Sequence, residues 1–326
     1  MTDPVLDELL RASRAHAGKE PTEELKQASR AFLLRADTDS AILRAAADAL
    51  PTLPPAGAGW LAIVLGTAIE RGQSAAVSAP ALLQFLRSWL TKLPKPEITE
   101  DEAGEELASF PKPTPEQHAL FEALPRVCQG LVAHLARLPH ERAALVEDMA
   151  LLERLADIEG YSNGPGWVRE ALLRSSGTLI LLHPTSGSGL KVRYENVATC
   201  FHLFSLLQTA VGTRIPGGRQ PDPAIAAAAR GHTNAETYDE AWWHYGDPAS
   251  KTADIHHSIW GEGLVREIPV VNGSRVMLLW PPIMQSRSWD EGFFGPHLQA
   301  LPADVVVEED LSPESCRAWL RTLGIS

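Results

Sequence analysis

The sequence predicts an α+β protein. An all-α helical domain over residues 1–160, an irregular bundle or solenoid-like stack, is followed over 161–326 by a mixed α+β domain with a small, mostly antiparallel sheet. Three observations predict this. Apolar residues recur at helical spacing between proline and glycine stops as far as about residue 160. Beyond Ser175 short β-branched runs alternate with turn sequences. The length, 326 residues, exceeds the ~250–300 that one core usually holds.

The helices follow in order. "PTEELKQASRAFLLRA" has Thr22 as N-cap, and "DSAILRAAADALP" runs until Pro51. "AGWLAIVLGTAIERG" ends at Gly72, and "APALLQFLRSWLTKLP" starts at Pro80 and stops before Pro94. In "TPEQHALFEALPRVCQGLVAHLARL" Thr114 and Gln117 form a capping box, and Pro125 predicts a kink. "PHERAALVEDMALLERLADIEG" carries Leu145, Met149, Leu152 and Leu155 on one face and ends at Gly160. The helices share no repeated pattern that aligns. The acidic, proline-bracketed stretch at about 94–113 reads as a solvated surface loop.

In the second half, "GTLILLHP" and "LKVRYENV" flank "TSGSG" and predict a hairpin. "VATCFHLFSLLQTAVG" predicts a buried helix, and "PAIAAAARG" a short one. "LVREIPVV", "RVMLLWPP" and "ADVVVEED" are three further strand candidates, with an Asn-Gly turn between the first two. The closing helix "SPESCRAWLRTLG" has Ser312 as cap, Pro313 at its first position and Gly324 past its end.

Composition narrows the function classes. A net charge of −12 without a lysine- or arginine-rich stripe argues against nucleic acid and anionic membrane surfaces as partners. The longest apolar run, Trp60 to Ile69, is about half of what a bilayer demands, and the start lacks the pattern of a signal peptide. Cys128, Cys200 and Cys316 are odd in number and far apart, which suits neither a disulfide framework nor a zinc ribbon. A soluble cytoplasmic protein is the expectation.

Motifs for catalysis are weak. "TSGSGLK" lacks the Gly-Lys-Ser/Thr run into a helix that a phosphate loop needs, so it reads as a hairpin turn. Cys200 and His202, two apart on a helix, point to different faces. Neither a Gly-x-Ser-x-Gly elbow nor a His-Glu-x-x-His helix is present.

One region stands out. "WWHYGDPASKTADIHHSIWGEG", 242–263, concentrates aromatic, imidazole and carboxylate side chains. His232, His244, Asp254, His256, His257 and Glu262 are the residues that suit Zn, Mn or Fe, and they define one functional expectation, a metal-dependent enzyme. Glu236, Glu240 and His244 share a face if 234–245 is helical; Asp254 and His256 share one if 252–258 is extended. The simpler reading makes these residues loop struts and the tryptophans a domain core.

The leading expectation is a binding or scaffold protein whose aromatic-rich C-terminal surface recognises a protein or small molecule. Trp242, Trp243, Trp260, Trp280 and Trp289 crowd the 242–289 region, and "PPIMQSRSWDEGFFGPH" at 281–297 is a long, aromatic, Pro/Gly-rich loop. Trp243, Arg287, Trp289, Phe293 and Phe294 are its candidate contact residues, of the types that dominate binding hot spots.

Overall fold

A computed structural model of the chain describes every residue except 1, 2, 101–105, 110, 221, 233–237, 240, 241, 285–287, 290–299 and 326. At 98, 100, 106–108, 238–239 and 288–289 the backbone alone is described. The chain divides into two compact units, Met1–Leu172 and Leu173–Ser326.

The first unit is helical: α1 (Pro4–Ala15), α2 (Glu23–Ala36), α3 (Ala41–Ala49), α4 (Pro55–Glu70), α5 (Ala79–Lys92), α6 (Pro115–Leu135), α7 (Pro139–Leu145), α8 (Met149–Glu159) and α9 (Asn163–Leu173, which crosses the division). The caps are those the sequence indicates. Thr22 Oγ1 accepts from Leu25 N–H, and Thr114 and Gln117 close a reciprocal capping box. Two helices have no counterpart above: α1, started by Asp3 as N-cap and Pro4 behind it, and α9.

α4 and α6 form the centre. α4 is buried on nearly every side, as a helix apolar all round must be. It lies so close to α6 that small residues are obligatory at the crossing: a Cβ on Gly66 would stand 2.9 Å from the Gly130 Cα. α6 continues through Pro125 as one helix to Leu135. α9 packs on α6 in the same way, since a Cβ on Gly164 would meet the Pro125 Cα at 2.7 Å. This close fit places α9 with the helices rather than with the sheet.

Two expectations for this unit change. The stretch 139–160 is two helices, because Asp148 turns the chain: one carboxylate oxygen accepts from Leu151 N–H to cap α8, and the other takes Arg87 Nη2 at 2.6 Å. In the acidic stretch, β1 (Glu97–Glu100) and β2 (Glu106–Ser109) pair as an antiparallel hairpin.

The second unit is the mixed α+β domain. β3 (Ser175–His183) and β4 (Ser188–Val197) form the expected hairpin. α10 (Cys200–Val211) and α11 (Pro223–Ala229) follow, then the two-residue strand β5 (Tyr238–Asp239), β6 (His244–Gly246), β7 (Val270–Val271), β8 (Ser274–Trp280), β9 (Ser288–Trp289), β10 (Asp304–Asp310) and α12 (Pro313–Thr322). The main sheet runs β10-β4-β3-β8-β6, with β7 also on β8. Its pairs are antiparallel except β3 with β8. β5 and β9 pair separately.

Both faces of the sheet are covered, so residues 179–182 of β3 and 276–280 of β8 are continuous apolar runs rather than alternating ones. Leu179, Leu181, Met277 and Leu279 face a core shared with α10, while Ile180, Leu182, Val276 and Leu278 face Leu320, Leu323 and Ile325 of the C-terminal segment. The Asn-Gly turn is as read: Asn272 and Gly273 both take positive φ, 49° and 78°, and join β7 to β8 in a tight hairpin. "LVREIPVV" departs from expectation. Val265–Glu267 is a 3-10 turn, and only Val270–Val271 is strand.

The second unit is expected to fold alone. A fragment from Leu173 retains Arg174, whose Nη1 donates to the Asn196 and Leu301 carbonyls at 2.9 and 3.3 Å. Cooperative thermal unfolding of that fragment, followed by near-ultraviolet circular dichroism, is the check; a non-cooperative melt would show that its core depends on the helices.

Candidate functional site

The 242–263 region is built on β6, at the end of the sheet. Trp242 and Trp243 precede it, and Tyr245 within it points into the core, where its ring stacks on Phe204 of α10 at 3.8 Å between centroids. Trp243 is 3% exposed and its Nε1–H donates to the Pro216 carbonyl at 2.9 Å. These aromatics are core, held by β6 lying between β8 and the segment 255–259.

The imidazoles and carboxylates brace that segment. His244 sits on a strand, opposite Trp280, and not on a helix; its side chain is buried, with Nε2–H donating to the Asp254 carbonyl at 3.0 Å. Glu236 and Glu240, its expected helical partners, lie outside the described residues. Ile255–His257 is a 3-10 turn rather than extended chain, because the Asp254 carboxylate accepts from His256 N–H and turns the backbone. Asp254 and His256 therefore do not present a common face. His257 Nδ1 lies 3.3 Å from Asp247 Oδ2, while Asp247 Oδ1 accepts from Ala249 and Ser250 N–H.

His232 stands apart, exposed beyond α11, where its backbone N–H donates to the Ala227 carbonyl. Glu262 is exposed on the loop after Trp260. Among the described residues no three His, Cys, Asp or Glu side chains converge as a metal would require. Arg287, Phe293 and Phe294 lie outside the described residues, and of Trp289 only the backbone, paired with Tyr238, is described.

A feature the spacing did not show is the way Trp260–Gly263 is held. The Gly261 carbonyl accepts from Phe201 N–H and the Gly263 carbonyl from Cys200 N–H, both at 2.8 Å, while Thr199 Oγ1 takes His202 N–H. The loop thus fills the orphan donors at the start of α10. Gly261 lies flat on Phe201, where a Cβ would be 2.2 Å from the ring. On this fixed loop Trp260 is 46% exposed, unlike Trp242, Trp243 and Trp280. Exposed Ile255 is close by in sequence, and Ile283, also exposed, lines a small cavity together with Ile259. That cavity, about 10 Å³, has room for about one water and no more.

The chain matches no known family. Compared with protein-family models, curated proteins and solved structures, it finds no counterpart in any of the three.

Other reactive groups are enclosed. Cys128, Cys200 and Cys316 are buried and form no disulfide, and burial pushes the Cys128 and Cys316 thiols up, away from the thiolate. In the helical unit His134 Nδ1–H donates to the Gly130 carbonyl at 2.7 Å, which leaves Nε2 to accept from Ser78 Oγ at 2.9 Å. Both side chains are fully enclosed, so the pair works as a strut between α6 and the start of α5. Among the described residues no helix is long and apolar enough to cross a membrane.

Proposed function

We propose that the protein is a cytoplasmic binding protein that recognises a partner through the aromatic edge of its C-terminal unit, with Trp260 as the anchor. The observation that carries this is an indole left 46% exposed on a loop whose backbone is fixed by the start of α10. A tryptophan held in place before binding loses little freedom on contact, which is what a hot-spot residue needs. Ile283, exposed as well, is proposed to extend the apolar patch, and Arg287, Trp289, Phe293 and Phe294 of the following loop to complete it. With a net charge of −12 the chain favours a neutral or basic protein surface over nucleic acid or anionic lipid. Three cysteines that form no disulfide suit a reducing compartment.

Site-specific photo-crosslinking tests the reading. A benzophenone side chain at position 260, expressed in the native host, is expected to give a discrete adduct that is absent when the same group replaces Leu34, a still more exposed residue of the helical unit. Trp260→Ala is expected to abolish co-purification of that adduct's partner while the melting temperature stays within about 2 °C, as for other surface changes. Identical adduct patterns at 260 and 34, or an undiminished partner with Trp260→Ala, would remove the proposal.

A further inference from the structure

The helical unit contains a groove of about 310 Å³ between α5, α6 and α7, lined by Ala79, Leu83, Leu131, Leu135, Ala144 and Leu145 among others. We infer that it binds a small cationic amphiphile, an aliphatic chain with an ammonium head, whose charge pairs with Glu141. The volume falls at the lower end of small-molecule sites, about 300–1,000 Å³, which are mainly apolar with few polar groups.

The groove is held open by its frame. α7 contributes no buried residue of its own, although Ala144 and Leu145 face the gap. It does not collapse onto α6 because both its ends are tethered: Leu138, itself buried, and Pro139 fix the start, and Asp148, tied to Arg87 and to the first turn of α8, fixes the chain beyond it. An apolar space kept open in this way leaves dispersion contacts unmade, and an aliphatic chain supplies them.

Charge selects the head group. Glu141 is the one ionisable residue in the lining, and among the described residues it has no ion pair. The enclosed polar groups next to the groove are already matched, since Ser78 and His134 bond each other and the Gly130 carbonyl, and burial keeps His134 neutral with a pKa lowered to about 4. A ligand therefore meets one negative charge at the rim and an uncharged, apolar interior.

Three probes of equal chain length separate the contributions: decylammonium, decanol and decanoate, titrated into the intact protein calorimetrically below their micelle concentrations. Decylammonium is expected to bind about threefold tighter than decanol, and decanoate correspondingly weaker, the span of an exposed ion pair. Glu141→Gln is expected to erase that order and leave decanol unchanged. Ala144→Trp, at an exposed position on the groove wall, is expected to abolish binding of all three without lowering the melting temperature. Equal affinity for the three probes, no binding of decylammonium, or undiminished binding to Ala144→Trp would each overturn the inference.

Discussion

Gly130→Val is expected to destabilise the helical unit by at least about 3 kcal/mol, beyond the usual range for adding methyl groups to a core. The reason is backbone against backbone. A Cβ at position 130 would lie 2.2 Å from the Ala62 carbonyl oxygen and 2.6 Å from its carbon. Those atoms belong to α4 and move only if the whole helix moves, whereas a side-chain neighbour could rotate away. Separating α4 from α6 would in turn open the contacts of Leu61, Leu65, Leu124 and Val127, all fully buried. Gly160→Ala is the matched control: it ends α8 with ordinary φ, and no atom lies within 4 Å of its would-be Cβ. It is expected to be neutral or stabilising by up to about 1 kcal/mol. Urea denaturation of the two variants measures both; a Gly130→Val midpoint equal to that of the parent would refute the close crossing.

Acid is expected to weaken both units chiefly through the most deeply buried histidine of each, with His16 and His183, whose pKa values burial also lowers, acting in the same direction. Burial pushes His134 and His202 down to about 4 from an ordinary 6.5; neighbouring Arg137 and Arg174 push the same way, and the hydrogen bonds to the Gly130 and Ala229 carbonyls oppose it. The folded-state values lie below the unfolded ones, so between these limits the unfolded chain takes up protons that the folded chain refuses. The stability is fully present above about pH 6.5, declines as pH falls, and levels off below about pH 4, for a loss of roughly 3 kcal/mol per histidine. Urea midpoints compared at about pH 7 and about pH 4.5 measure it. His134→Gln and His202→Gln should each flatten the dependence of their own unit. An unchanged slope in either variant would assign the acid sensitivity to other groups.

Much of the fold is written locally. Thr22, Thr114, Ser312, the Asn272–Gly273 turn and the glycine after the last helix act through bonds a few residues long, and the structure has each where its neighbours in the chain demand it. The division of 139–160 into two helices was less legible, because Asp148 competes with helix continuation only when Arg87, far away in sequence, is there to hold it. The functional region fared in the same way. Tryptophans at 242, 243 and 260 look alike in sequence, yet the first two are core and the third stands out, because its loop is seated on the start of α10. The histidine cluster is a similar case: proximity along the chain suggested a shared face, but a turn at Asp254 and a strand at His244 send the side chains to separate duties.

The single parallel pairing in the sheet bears on how the protein is made. β3 ends at His183 and finds β4 at once, but its other neighbour, β8, begins only at Ser274, and α10, α11 and β6 come between. During synthesis the chain emerges from its N-terminus, so one side of the apolar run 179–182 stays without its hydrogen-bonding partner while some ninety residues are added. Such an edge is a template for pairing with another nascent chain. The period between translation of β3 and translation of β8 is thus when this protein is most exposed to aggregation, and most dependent on whatever shields it at the ribosome.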